Sequence, residues 1–293
     1  MNKSSITVAI ITRNRAPLLK KALDSLAAQT RPADEILIID NASTDDTQKV
    51  VEQMAQHFPI QYVFEDKIGI SSARNAALTE CKGEILAFID DDAVADPHWL
   101  NTIDQTFLRN PQAVAVQGRT DNLFPENLYA SLVQFISQDM PKLRDRDGNV
   151  VKSPSMICSM NLAFKMNPVK NHGIFFDTSL TRGEDRNFGH QLLRNNMLII
   201  YAEDALNYHH WPQTLKGYIG VRWKAGVARG LLKQKFEKGS FNTETRKWGL
   251  AKTLKTAWAA TKKRNIFRRL SFLSLLVAGK LISEIAQFRT KDE

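Results

Sequence analysis

Cysteine is scarce in this 293-residue sequence, with only Cys81 and Cys158 present. Far apart and without a Cys-x-x-Cys spacing, they exclude a disulfide-stapled scaffold, a zinc ribbon and a dithiol redox motif, and they fit a reducing compartment on the cytosolic side. No stretch is dominated by proline, glycine or serine, which excludes a long disordered or collagen-like block. Met1 to Thr12 runs into an apolar segment without a basic leader or a small-residue cleavage site, so a secretory signal is not expected. Glycine-rich phosphate loops are missing too: neither a P-loop pattern nor a Gly-x-Gly-x-x-Gly run occurs. The apolar run from Leu270 to Gly279 falls short of the about 20 residues that cross a bilayer.

What is present is an ordinary globular composition, 43% hydrophobic and 24% charged, long enough for a large α/β domain with an appendage. The net charge of +9 is unevenly spread. Residues 212–293 hold 19 Lys/Arg against 5 Asp/Glu, and the remaining 21 basic and 26 acidic residues leave the body at −5. From residue 5 to about 118, short β-rich runs alternate with amphipathic stretches, the pattern of βαβ units around a mainly parallel sheet. Strands are predicted at Ile6–Ile11, Glu35–Ile39, Gln61–Phe64, Ile85–Ile89 and Ala113–Gln117, and helices at Leu18–Ala28, Thr44–Phe58, Ile70–Cys81 and Trp99–Leu108. Past residue 118 the alternation breaks down. A loop and helix over Asn122–Met140, a polar turn-rich stretch Pro141–Pro154, a strand Ser155–Lys165, a helix Glu184–Asn195 and strands Met197–Tyr201 and Leu206–His209 follow. Three parts are expected: residues 1–118, residues 119–211 and a basic helical appendage over 212–293.

In an open parallel sheet, ligands bind where polar residues follow the strand ends. That rule selects Thr12, Arg13 and Arg15, then Asp40 and Asn41, then Asp90, Asp91 and Asp92. The three consecutive carboxylates repel one another, and a divalent ion bridging carboxylate and phosphate oxygens relieves that repulsion. A solvated acidic turn capping the next helix is the competing reading. Asp40 at its strand end can accept hydrogen bonds from a base or ribose, whereas Ser43 to Asp46 are ordinary caps. Arg74 lies on an Ala-rich helix and either holds the aspartates or faces a diphosphate; a solvent-facing arginine is the alternative. Glu184 and Asp185 open a helix between Arg182 and Arg186, either as a charge-favoured helix start or as the source of a general base for an acceptor hydroxyl. Of the neighbours His209 and His210, only one can point into a site begun by Asp92, because adjacent strand residues face opposite ways.

Taken in order, Val8-Ala-Ile-Ile-Thr12-Arg13-Asn14-Arg15, Ile39-Asp40-Asn41-Ala-Ser-Thr-Asp45, Ala73-Arg74-Asn75, Phe88-Ile-Asp-Asp-Asp92, Asn161, Phe176-Asp177 and Gly183-Glu-Asp185 resemble the family 2 glycosyltransferases of the GT-A fold. The resemblance covers roughly residues 5–230. It implies a nucleotide diphosphate sugar donor, with UDP-sugar the first expectation, and a divalent cofactor, Mn²⁺ or Mg²⁺. It further implies that Thr12 and Asp40 contact the base, that Arg74 lies near base and diphosphate, and that Asp90 approaches the ribose. Asp92 would hold the metal, His209 would be a further metal or phosphate contact, and Asp185 would be the catalytic base with Glu184 beside it. Inversion by single displacement onto a glycan or lipid-linked hydroxyl is the implied chemistry. One departure is Asn187, where many relatives carry an acidic residue.

The tail sets Trp223, Trp248 and Trp258 among lysines and arginines. It reads as basic amphipathic helices lying on an anionic cytoplasmic membrane surface, or else as helices packed on the body with solvated basic faces. A nucleic-acid-binding protein is a rival class, but it leaves the acidic body unexplained, and no nucleic-acid partner is expected. A sugar-phosphate nucleotidyltransferase is a second rival, and it calls for a glycine-rich loop where Thr12–Arg15 stands. Retention of Asp92 and Asp185 argues against an inactive scaffold.

Overall fold

A computed structural model describes residues 4–137, 157–236, 250–261 and 265–290. Pro141–Pro154 and the start of the predicted strand at Ser155, like Trp248, lie outside the described residues. The described chain forms two compact units, one of residues 4–121 and 157–209, the other of 122–137 and the helices beyond 210.

The first unit alternates strand and helix as far as its fourth strand and then continues with a short fifth: β1 Ile6–Thr12, α1 Ala16–Ala27, β2 Glu35–Asp40, α2 Thr47–Ala55, β3 Ile60–Phe64, α3 Ile70–Glu80, β4 Ile85–Ile89, β5 Ala93–Ala95, α4 Trp99–Arg109 and β6 Ala113–Asn122. Within the second unit's first segment lies α5, Leu128–Ser137. The first unit then resumes with β7 Asn161–Lys165, α6 Met166–Asn171, α7 Glu184–Arg194 and β8 Leu198–His209. The eight strands form one sheet in the order β3-β2-β1-β4-β7-β6-β8-β5. β1, β2, β3 and β4 pair in parallel, while β4–β7, β6–β7 and β5–β8 are antiparallel.

The apolar strands are buried on both faces, as a parallel sheet covered by helices requires. Period-2 pleating divides them between two cores. Val8, Ile10, Ile36 and Ile38 pack with Leu19 and Leu23 of α1, Val51 of α2 and Ile103 of α4. Ala9, Leu37, Ile39 and Phe88 pack with Ala73 and Ala77 of α3 and Phe188 and Leu192 of α7 on the other face. The mixed α/β sheet with helices on both faces matches the expected fold class.

Several elements depart from the sequence reading. Met197–Tyr201 and Leu206–His209 are one twelve-residue strand, because Glu203 and Asp204 sit exposed within a paired strand rather than ending it. β5, three residues long, was not predicted. The strand expected from Ser155 is regular only from Asn161.

The second unit contains α5, α8 Leu215–Phe236, α9 Leu250–Ala260 and α10 Ile266–Arg289. α10 has 24 residues and is long and apolar enough to cross a membrane by length and composition. The apolar run seen in the sequence stops at Gly279, but the helix continues through Leu281, Ile282 and Ile285, so length alone does not exclude a span.

Candidate active site

With β1 flanked by β2 on one side and β4 on the other, the crossovers diverge at the β1–β4 junction and leave a crevice at the strands' carboxyl ends. Thr12 ends β1, Asp40 ends β2 opposite it in register, and Asp90 follows β4. The loops at this edge are conformationally tense. Asn14 and Ala42 hold φ of 54° and 59°, left-handed values uncommon for non-glycine residues and frequent at ligand sites.

The three aspartates do different jobs. Asp91 turns inward and is 4% exposed. Thr12 Oγ1 donates to its Oδ2 at 2.9 Å, and Arg15 Nη1 donates to its Oδ1 at 2.9 Å. Burial raises the Asp91 carboxyl to a pKa of about 6, although Arg15 opposes the shift. The same Arg15 nitrogen lies 3.0 Å from Asp92 Oδ2, so one guanidinium fixes the whole turn. Arg13 is exposed, as is Arg15 itself.

Asp90 and Asp92 meet His209. Pairing of β5 with β8 sets Ala93 opposite His209, which brings the imidazole beside the aspartate one residue earlier. Its Nε2 lies 3.3 Å from Asp90 Oδ2 and 3.0 Å from Asp92 Oδ1. Burial disfavours the imidazolium, but hydrogen bonding and charge from both aspartates outweigh it and raise the pKa to about 9. One ligand atom from each of Asp90, Asp92 and His209 lies within 4.8 Å of the others, a possible divalent-cation site. Two carboxylate oxygens and an imidazole nitrogen fit Mn²⁺ well and are compatible with Mg²⁺, though imidazole is a less usual Mg²⁺ ligand.

On the opposite core face, Arg74 is 6% exposed and its guanidinium pairs with Glu184 at the start of α7. The solvent-facing alternative for Arg74 therefore does not hold. Its Cζ lies 5.5 Å from the centroid of Phe176, which stacks on Phe188 of α7 with centroids 4.4 Å apart. Glu184, Asp185 and Asp90 all act on the Arg74 charge, keeping its pKa raised against the pull of burial. Burial lifts the pKa of Glu184, with Arg74 opposing. Gly183, at φ 82°, precedes this helix in a left-handed conformation that glycine adopts without strain. Asp185 accepts from the Arg186 amide at 2.7 Å. The two acidic regions that are distant in sequence thus come within electrostatic range of one arginine.

Asp40 and Asn41 occupy the adjoining strand end. Asp40 accepts from the Ser43 amide and the Tyr62 hydroxyl, both at 2.8 Å, and a carboxylate has lone pairs for a further donor. Asn41 spans the next loop, donating to Lys67 O at 2.9 Å and accepting from Gly69 N at 2.8 Å. Asp45, read as a local cap, also accepts from Ala16 N at 3.0 Å and so caps α1 across the loop.

Cys158 was given no role by the sequence. Burial, then the charges of Asp185 and Asp90, push its thiol pKa well above the ordinary value. A lone cysteine outside any motif carries no signal of that burial. A cavity of about 380 Å³ lined by Thr7, Glu35, Gln61 and Lys82 lies at the amino ends of the strands, away from this chemistry.

A helix-flanked sheet that gathers carboxylates, arginines and an imidazole at its strand ends defines an α/β protein of the GT-A fold. The chain belongs to glycosyl transferase family 2, whose profile matches residues 7–173. Over 136 residues it is 29% identical to the glucosyl-dolichyl phosphate glucuronosyltransferase of Haloferax volcanii, covering 43% of this chain and 44% of that protein. Its fold is similar to that of the mannosyltransferase PcManGT from Pyrobaculum calidifontis in complex with GDP-Man and Mn²⁺. That match has a TM-score of 0.66 at 21% identity and covers 98% of this chain and 86% of that one. It is also similar to S. aureus TarS 1-349 in complex with UDP-GlcNAc, with a TM-score of 0.56 at 16% identity, covering 96% and 89% of the two chains. The aligned stretches span 31–44% of the length of the first curated relatives.

Proposed function

We propose that this protein transfers a sugar, with inversion, from a nucleotide diphosphate sugar to a hydroxyl of a glycan or lipid-linked acceptor in cell-surface polysaccharide synthesis. One observation carries the reading: Asp90 on the cation side and Glu184–Asp185 on the other all act on the buried Arg74. UDP-sugar is the preferred donor class. Structural neighbours in complex with UDP-GlcNAc and GDP-Man, and a relative named for glucosyl-dolichyl phosphate, support donor and acceptor at class level.

In this reading Thr12, Asp40 and Asn41 line the base and Asp90 meets the ribose. Arg13 and Arg15 face the phosphates, with Arg15 also restraining Asp91 and Asp92. Asp90, Asp92 and His209 hold a divalent ion, which when bound supplies Lewis-acid neutralisation of the departing diphosphate. Glu184, tied to Arg74, fixes the first turn of α7 and so aims Asp185. Asp185 accepts the acceptor hydroxyl's proton as that oxygen bonds to the anomeric carbon and the sugar–phosphate bond breaks on the opposite face. The basic C-terminal helices bring this centre to the cytoplasmic face of an anionic membrane.

Thermal-shift screening of UDP, GDP and dTDP sugars with Mn²⁺ or Mg²⁺ tests the donor, because a ligand of the folded state raises the melting temperature. Asp185→Asn is expected to keep the donor-induced shift while lowering turnover by roughly a hundredfold or more. Failure of every nucleotide sugar to shift the protein, or full turnover in Asp185→Asn, defeats the reading.

A further inference from the structure

Within the second unit, α10 is apolar on two opposite sides. Its buried side carries Phe272 and Leu276 toward the start and the small residues Gly279, Ser283, Ala286 and Thr290 further on. That side packs closely on α8: a Cβ added at Gly226 would collide with Ser283 O and lie 2.7 Å from Ala286 Cβ. Tyr218 Oη donates to Leu275 O at 2.8 Å and Arg222 Nε to Gly279 O at 3.2 Å. The opposite side also carries large apolar residues. Phe267, Leu270, Leu281, Ile285 and Phe288 fall on one stripe at helical spacing and are all exposed, Phe267 at 78% and Phe288 at 68%. Only serine and alanine separate them on that stripe, and no described residue covers it.

Two arginines of α10 meet tryptophans of the neighbouring helices. Near its start Arg269 Cζ lies 3.5 Å from the ring centroid of Trp258, and near its end Arg289 Cζ lies 5.7 Å from that of Trp223. Both tryptophans are partly exposed. Trp–Arg pairs suit the boundary between acyl chains and headgroups, where the ring is half apolar and the cation meets phosphate. Arg268, Lys280 and Arg289 stand exposed beside the face against the single acid Glu284. An uncharged apolar stripe bordered by cations and tryptophans complements an anionic lipid surface.

We infer that α10 lies in the plane of an anionic membrane, with the Phe267–Phe288 stripe sunk among the acyl chains and its Trp–Arg pairs at headgroup level. This rests on the proposal that the C-terminal helices meet such a surface, and it names the residues and the mode. Insertion in the plane leaves Arg268, Arg269, Lys280 and Glu284 at the interface, whereas a span would take several of them, together with Arg222 of α8, toward hydrocarbon.

The test uses the full chain, co-sedimented with phosphatidylcholine vesicles with or without about one quarter phosphatidylserine. Leu281→Glu/Ile285→Glu is expected to lower partitioning onto the anionic vesicles by about tenfold or more, with melting temperature and donor-dependent transfer in vesicle-free solution unchanged. Should that pair disturb folding, Phe267→Ser/Phe288→Ser at the ends of the stripe is expected to act in the same way. Unchanged partitioning of a folded variant overturns the assignment of this face. Retention of the wild type on vesicles after an alkaline carbonate wash overturns the in-plane mode. If the wild type binds neither vesicle, the membrane reading falls as well, while transfer in free solution reports separately on the catalytic reading.

Discussion

His209 holds a proton that a divalent ion has to displace. The imidazolium sits between two aspartates and has a pKa of about 9, well above the ordinary 6.5. A folded-state value raised in this way gives stability that is complete below about pH 6.5 and is lost as pH climbs through about 9. Stability of the cation-free protein is therefore expected to fall across that window. Over the same window the proton competes less, so affinity for Mn²⁺ is expected to rise by up to about tenfold per pH unit between roughly pH 7 and 8.5. Asp91 adds little to this slope, since its pKa of about 6 leaves it mostly ionised by then. Titration calorimetry in buffers of different ionisation heat measures both the affinity and the released proton. His209→Ala is expected to flatten the pH slope and abolish the release; a wild type with pH-independent affinity removes His209 from the cation site.

At the scale of elements, the site depends on a seam that delivers β8 to the aspartate turn. Asn161 of β7 accepts from Trp99 Nε1 of α4 at 2.8 Å and donates to Arg119 O of β6 at 2.7 Å and to Ala205 O of β8 at 2.8 Å. Because β6 lies between β7 and β8, the amide passes where Gly118 has no side chain, and a Cβ there would collide with Ala205 O and Asn161. Asn161→Ala leaves a buried indole N–H and two carbonyls without these partners, at a cost of about 3 kcal/mol. Gly118→Ala is expected to cost a comparable amount by forcing the seam apart. Both are expected to weaken Mn²⁺ binding, since β8 ends at His209. Urea denaturation with cation titration checks this, and a loss under about 1 kcal/mol with unaltered affinity for both variants discards the seam. Asn161 was legible in the sequence only through family resemblance, because nothing local marks an amide that joins four elements. The N-terminal strands were readable since each is a short apolar run ended by polar residues. β5 was not: three residues between an acidic turn and Asp96-Pro97 have no pattern, and they become a strand only by pairing with β8 more than a hundred positions away. Arg74 and Glu184 were legible as candidates, but their buried pairing depends on the packing of α3 against α7.

For the whole molecule the uneven charge was plain from counting, a body at −5 and residues 212–293 carrying 19 basic against 5 acidic side chains. What counting could not show is that α10 leaves an apolar stripe exposed along its length, because the side that packs on α8 is identified only by contact. Two activities then respond differently to salt. Cations at a lipid surface are exposed and are screened over about 10 Å at 0.1 M ionic strength, whereas the Arg74–Glu184 pair is shielded from solvent on both sides. Raising NaCl from about 50 mM to about 0.5 M is expected to lower partitioning onto phosphatidylserine vesicles by roughly tenfold or more, while changing donor affinity by about twofold or less. Residual salt-resistant binding is expected to come from the apolar stripe and to disappear in Leu281→Glu/Ile285→Glu. Co-sedimentation and donor titration along one salt series read both quantities. Equal salt sensitivity of the two would mean that the basic helices serve the nucleotide rather than a membrane, and the division of labour argued from the charge pattern would fail.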